Sequence, residues 1–262
     1  MKINKDYIPP ILVRKISGLY YGWHGNYKTW EEAKKHSTGY DSELILNKVK
    51  DALLKVKNGE AKYERDSVLF DKIEYSFPVL AALMWIANQN KGNLNIIDFG
   101  GSLGSSYFQN KKFLDSLEKV NWNIVEQKQF VECGKKYFQD DQLKFFETME
   151  ECLKLQQPNT ILLSSVLQYM EEPYQLIDDI INRHFKYVII DRTSFLITGK
   201  DRITVQTVHP EIYRASYPSW FFNEDKFLKK FNGNYELITD FYSSDRANIK
   251  SVFKGYLFKL KN

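Results

Sequence analysis

The stretch Leu94-Asn95-Ile96-Ile97-Asp98-Phe99-Gly100-Gly101-Ser102-Leu103-Gly104 decides the fold. It reads as a buried strand that ends at a carboxylate and turns through glycines into a helix. Without a Cβ, Gly100, Gly101 and Gly104 can take positive φ and bring the backbone close to a ligand. Working outward, Val120-Asn121-Trp122-Asn123-Ile124-Val125-Glu126 is a second apolar run that also ends in a carboxylate. An acid at the tip of the second strand of such a unit can accept hydrogen bonds from a ribose diol. The two runs together point to an adenosine-containing ligand.

The glycine spacing narrows the choice. A dinucleotide turn needs glycines at i, i+2 and i+5, and Gly100 is followed at those positions by Ser102 and Ser105, so NAD is disfavoured. A triphosphate loop needs Gly-Lys-Ser or Gly-Lys-Thr, and neither follows. A carboxylate directly before the glycines repels a pyrophosphate and favours a cationic ligand such as a sulfonium or an amine. S-adenosylmethionine meets both conditions.

The same stretch resembles the first motif of class I S-adenosylmethionine-dependent methyltransferases, acid-x-Gly-x-Gly-x-Gly. Asp98, Gly100 and Gly104 match, and Ser102 stands where the middle glycine would be. Asn159 to Tyr169 is similar to the fourth strand of that fold and its following loop, and Glu171-Glu172-Pro173 then opens a helix. A narrower resemblance rests on Gly22-Trp23-His24-Gly25-Asn26-Tyr27, Thr29-Trp30-Glu31-Glu32-Ala33, Gly39-Tyr40-Asp41 and Tyr217-Pro218-Ser219-Trp220-Phe221. These look like a family of bacterial methyltransferases often encoded in surface-polysaccharide or lipopolysaccharide loci. That resemblance implies a saccharide-related acceptor and O-methylation. A phosphate or phosphoramidate group, a nitrogen, or RNA stays open as the acceptor, as does a non-catalytic adenosyl-binding subunit.

In an open α/β sheet the ligand crevice lies at the carboxyl ends of the strands. The expected cofactor wall is therefore Asp98, Gly100, Gly101, Ser102, Gly104, Ser164, Ser165 and Leu167, with Glu126 on the ribose. The bland reading of Glu126 is a surface carboxylate. Glu147 and Thr148 lie where this fold contacts adenine, although the same residues can cap a helix. Methyl transfer to a hydroxyl needs alignment, exclusion of water and a proton acceptor. Asp191, His209 and His24 are the candidates for that acceptor, and the histidines can equally be packing residues. Tyr27, Tyr169, Arg192, Arg202 and Trp220 are candidates for binding the acceptor substrate. For the arginines the alternative is a solvated surface, and for the aromatic residues it is core packing.

Composition fits a soluble enzyme. Of 262 residues, 43% are hydrophobic and 27% charged, and the net charge of +4 comes from 37 basic and 33 acidic residues that form no long basic tract. A nucleic-acid binder would concentrate its basic residues on one face. The opening Met1 to Pro10 has no apolar signal core, and the longest apolar run, Val79 to Ala87, is too short to span a bilayer, which reads as cytoplasmic. Cys133 and Cys152 lack metal-ligand spacing, so neither a disulfide nor a zinc site is expected.

Residues 1–90 read as a mostly helical extension, and 91–262 as the ligand-binding domain. Thr29 and Glu32 have capping-box spacing. Asp41 can cap a helix with an Ile45, Val49, Ala52, Leu53, Val56 stripe, which Asn58-Gly59 stops. The Gly22 to Tyr27 motif, with its glycines and aromatics, is expected to act as a lid. Beyond it, apolar runs at Leu94–Asp98, Trp122–Glu126, Leu143–Phe146, Thr160–Ser164 and Tyr187–Asp191 alternate with helical stretches, predicting a doubly wound α/β sheet. Ile203–Val208 reads as a further strand, and Asn223 caps a helix running to Phe231. Tyr235–Tyr242 and Val252–Leu260 read as an antiparallel pair. By resemblance, that pair supplies the reversed final strand of a Rossmann-like methyltransferase sheet.

Overall fold

The computed structural model describes residues 20–39, 42–65 and 67–261. The opening Met1–Pro10 segment and the Asp41 cap lie outside them. The extension comprises β1 (Gly22–Tyr27), α1 (Trp30–Lys35), α2 (Ser42–Lys57), β2 (Tyr63–Arg65), β3 (Val68–Phe70) and α3 (Phe77–Gln89). An alternating region follows: β4 (Asn93–Phe99), α4 (Ser105–Leu114), β5 (Lys119–Val125), α5 (Lys128–Tyr137), β6 (Leu143–Phe146) and α6 (Met149–Gln156). It continues through β7 (Thr160–Ser164), a 3₁₀ turn (Leu167–Tyr169), α7 (Pro173–Asn182) and β8 (Tyr187–Leu196). The chain ends with β9 (Arg202–Thr207), β10 (Ser216–Phe221), α8 (Glu224–Phe231), β11 (Tyr235–Tyr242) and β12 (Ser251–Leu260).

The central sheet has seven strands in the order β11-β12-β8-β7-β4-β5-β6. Strands β4 to β8 pair in parallel, and β12 runs antiparallel to both β8 and β11. This is the doubly wound, Rossmann-like sheet with a reversed final strand expected from the sequence. Parallel strands must be covered on both faces, and the residue alternation does this. Leu94, Ile96, Trp122, Leu162 and Ile189 point into one core, closed by Leu53, Leu83, Tyr107 and Phe130 of α2 to α5. Ile97, Val125, Leu163 and Ile190 point into the other, closed by Cys152, Ile177 and Phe227 of α6, α7 and α8. Each such side chain contributes about 1.5–3 kcal/mol relative to an exposed one.

Local signals act where the sequence places them. Thr29 Oγ1 accepts from Glu32 N at 3.1 Å, and Asn223 Oδ1 accepts from Lys226 N at 2.8 Å, each satisfying an otherwise orphaned amide of a helix's first turn. Pro173 opens α7 at a position that needs no N–H.

In three places the structure adds to the sequence reading or departs from it. First, the mostly helical extension also contributes strands, one of them Gly22–Tyr27. It is an edge strand, with Trp23 opposite Gln206 and Tyr27 opposite Ile203 in a three-stranded antiparallel sheet ordered β1-β9-β10. The Arg202 guanidinium clamps this strand by donating to Gly25 O at 2.8 and 2.5 Å. Second, Tyr217–Phe221 belongs to a strand of the same sheet, so the segment after β8 and the segment before α1 build one cap together. Third, Asp191 does not end β8. The strand bulges at Arg192, which takes φ 52°, and continues to Leu196 alongside β12. Gly255 makes this possible, because a Cβ there would lie 2.6 Å from Ile190 O.

Candidate functional site

The glycine turn is held at both ends. Gly100 N donates to Val125 O at 2.9 Å, and Gly104 N donates to Gly101 O at 3.0 Å as α4 begins. Gly100 and Gly104 have φ of 69° and 108°, in the region that favours glycine. A Cβ on Gly100 would lie 2.6 Å from Val166 Cγ2, and one on Gly101 would lie 2.5 Å from Asp98 Cγ. Bare backbone therefore fills the space between the tips of β4 and β7. Ser102, at φ 54°, occupies the left-handed region without being glycine, at a cost of about 1–2 kcal/mol. Its backbone amide favours the ionised form of Glu126, which follows β5.

Four polar groups gather at this end of the sheet. By two-residue alternation, Asp98 follows Ile96, Glu126 follows Ile124, Ser164 follows Leu162 and Asp191 follows Ile189, so all four share one face. Asp98 is 1% exposed and accepts from Trp122 Nε1 at 3.0 Å. Burial pushes its pKa up to about 7, against the indole hydrogen bond and with a contribution from Glu126. Burial also raises Glu126, while amide donors at Gln127 (2.7 Å) and Ser102 favour its ionised form. Asp191 is raised by burial, opposed by Arg192 and by Ser164 Oγ, which donates to it at 3.0 Å.

The turn after β7 lies beside these groups. Ser165, at φ 56°, donates its amide to Asp191 O at 3.0 Å. Gln168 is 1% exposed; its Nε2 donates to Ser165 Oγ at 3.2 Å and to Arg192 O at 3.0 Å, joining the β7 turn to the β8 bulge. Sequence reasoning missed Gln168 and Val166, which carry no motif of their own. The Leu167 side chain is fully buried in the second core, leaving only its backbone to line a ligand. Thr148 is the N-cap of α6, accepting from Glu151 N at 3.1 Å, while Glu147 N donates to Glu151 Oε2 at 3.2 Å. Both residues are exposed at the tip of β6, and the Thr148 hydroxyl serves the helix.

The acceptor candidates separate. The Trp23 ring packs against Phe221 and Phe253 at 5.9 and 6.1 Å, so His24, the next residue in the strand, projects to the opposite face of the cap. There it lies opposite Val205, which clusters with Ala33 and Ile203, and its Nε2 is buried without a partner. His209 packs edge-on to Tyr21 at 4.6 Å and lies 3.6 Å from Glu211, in the loop joining β9 to β10. Arg192 does not stand ready for an anion, because it pairs with Asp245 at 3.2 Å. Arg202 is engaged by Gly25 O. Tyr27 stacks on His36 at 5.2 Å, and Trp220 lies between Trp30 and Phe222, 6.2 Å from each, with its Nε1 donating to Met170 O. Tyr169 touches both parts of the molecule: its hydroxyl donates to Gln206 Oε1 at 2.8 Å, and its ring meets Tyr217 edge-on at 5.3 Å. The cap is thus fastened directly over the β7 turn.

No protein-family model matches the sequence, and no curated protein matches it. The fold is similar to the N-terminal domain of EvdMO1, determined in the presence of SAH and D-fucose. That likeness has 13% identity and a TM-score of 0.50, over 85% of this chain and 98% of that one. Magnesium protoporphyrin IX methyltransferase (ChlM) from Synechocystis PCC 6803, with bound SAM, gives 12% identity and a TM-score of 0.46 over 98% of this chain and 95% of that one. The 1,6-didemethyltoxoflavin-N1-methyltransferase of Burkholderia thailandensis, with bound 1,6-didemethyltoxoflavin and S-adenosylhomocysteine, gives 10% and 0.44 over 92% and 94%. At this identity the EvdMO1 likeness establishes a common fold.

Proposed function

We propose that this chain is an S-adenosylmethionine-dependent methyltransferase that O-methylates a sugar or an activated sugar precursor in surface-polysaccharide biosynthesis. The observation that carries the proposal is the bare glycine turn lying directly on the Asp98 carboxyl and bonded through the Gly100 amide to Val125 O, the residue before Glu126. The carboxyls of this cradle suit a sulfonium, and any that ionise repel a pyrophosphate. It fits an adenosyl ligand: Glu126 would hold the ribose diol, Glu147 and Thr148 would border the adenine, and Gly100 to Gly104 with Ser164 and Ser165 would line the sulfur-linked chain.

When bound, S-adenosylmethionine supplies a methyl group on a good leaving group. The protein then has to hold the acceptor hydroxyl in line, exclude water and receive a proton. Asp191 takes the last role in this reading, since its burial raises its affinity for a proton and Ser164 orients it. Tyr169 of the turn after β7 and Trp220 of the cap form the acceptor wall, and the N-terminal extension covers the ligand site of the 91–262 domain. Support for a sugar acceptor comes from the resemblance of the Gly22 and Tyr217 motifs and from the D-fucose present with the EvdMO1 domain. Incubation with S-adenosylmethionine and a panel of sugar nucleotides, read by mass spectrometry, tests the proposal. A product heavier by about 14 Da, one CH₂, supports it. Tight ligand binding with no turnover on any acceptor would favour a non-catalytic adenosyl-binding subunit.

A further inference from the structure

We infer that Glu64, in β2 of the extension, is a positioning residue for the amino-acid end of the adenosyl ligand, acting through Ser105; this rests on the adenosyl-ligand reading above. Glu64 is a carboxylate only 1% exposed. One of its oxygens accepts from Ser105 Oγ at 2.6 Å and the other from Ser67 N at 2.6 Å. The neighbouring Tyr63 hydroxyl accepts from Gln109 Nε2 at 3.1 Å, one turn further along α4. The β2–β3 hairpin thus grips the first turns of the helix that the glycine turn opens.

The order of strands sets which end of the ligand arrives there. With the ribose on Glu126 at β5 and the adenine beyond it toward β6, the sulfur-linked chain runs the other way. On that path it would pass the tip of β4 and the turn that opens α4. Ser105 is the first residue of that helix and is only partly buried. A serine hydroxyl has one proton and two lone pairs. Ser105 donates its proton to Glu64, so its lone pairs are what it offers a ligand, with a carboxylate behind them. That arrangement accepts from an ammonium and repels a carboxylate or phosphate. The extension thereby contributes to ligand discrimination without touching the adenosine.

The test compares two ligands that share the adenosine and the sulfur, S-adenosylhomocysteine and 5′-methylthioadenosine, the second lacking the amino-acid chain. Calorimetric Kd values are measured for the wild-type chain, Glu64→Gln, Ser105→Ala and the double variant. Glu64→Gln should weaken S-adenosylhomocysteine about tenfold, the scale of one charge-assisted hydrogen bond, while 5′-methylthioadenosine stays within about twofold. Ser105→Ala should show the same selective loss, and the double variant no further loss. If Glu64→Gln does not fold, Ser105→Ala carries the same comparison. Equal weakening of both ligands, or no change in either, would reduce Glu64 to a structural tie and overturn the inference. Failure of the wild-type chain to bind either ligand would overturn the adenosyl reading itself.

Discussion

Trp122 Nε1 donates to Asp98 Oδ2 at 3.0 Å, from the second strand to the first, directly beneath the glycine turn. The pair sets a pH dependence whose sign is fixed by the direction of the shift. Asp98 is pushed up to about 7 in the folded chain, from an ordinary value of 3.8. Its stabilising contribution is therefore complete below about pH 4 and is lost as pH rises through about 7, on the order of 4 kcal/mol in all. Asp98→Asn keeps an acceptor for Trp122 and removes the titration. Urea midpoints at about pH 5 and about pH 8 should fall with rising pH in the wild-type chain and change less in the variant. An unchanged difference between the two pH values in Asp98→Asn would show that Asp98 does not titrate in this way.

The turn itself makes a graded prediction. Gly100→Val combines positive φ with a clash on Val166 and should abolish binding of S-adenosylhomocysteine. Ser102→Gly relieves strain at φ 54° and should bind as the wild-type chain does, with stability raised by about 1 kcal/mol. Calorimetric titration and urea unfolding of both variants check this; a Gly100→Val chain that binds normally would remove the turn from the site.

Arg192 and Asp245 form a half-buried pair, with side chains 20% and 22% exposed. Arg192 holds Asp245 below its usual pKa range even though burial works against it. Asp245→Ala should cost about 1–3 kcal/mol by leaving a partly desolvated guanidinium without this partner. Urea unfolding measures it, and a loss under about 0.5 kcal/mol, the scale of an ordinary surface substitution, would mean the pair is only a surface contact.

The legible parts of the chain and the illegible ones differ in physical kind. Leu143–Phe146 and Thr160–Ser164 were read to the residue because parallel strands buried on both faces are uninterrupted apolar runs bounded by polar turns. Gly22–Tyr27 and Ser216–Phe221 contain glycine, proline and no sustained alternation, and they become strands only because each finds β9 as a partner. For Gly22–Tyr27 that partner lies far along the sequence. Asp98, Glu126 and Ser164 are legible as strand-tip residues for the same reason as the sheet, since they sit at the ends of such runs. The acceptor side was not: the engagements of Arg192 with Asp245 and of Arg202 with Gly25 O depend on contacts that no local pattern encodes.

Deleting residues through Lys28 removes β1 from the cap and leaves the central sheet intact. Affinity for S-adenosylhomocysteine should stay within a few fold, while methyl transfer should be lost with the acceptor alignment the cap supplies. A folded truncation with full turnover would show that β1 only protects the edge of β9, and would direct the search for acceptor residues to Asp191 through Trp220.

The most direct measurement is a calorimetric titration of the wild-type chain and Glu126→Ala with S-adenosylmethionine, S-adenosylhomocysteine and NAD. Both adenosyl ligands should bind the wild-type chain and NAD should not. Glu126→Ala should weaken the adenosyl ligands by about 1.5–3 kcal/mol, through loss of charge-assisted hydrogen bonds to the ribose. Binding of NAD alone, or unchanged affinity in a folded Glu126→Ala chain, would contradict the site described here.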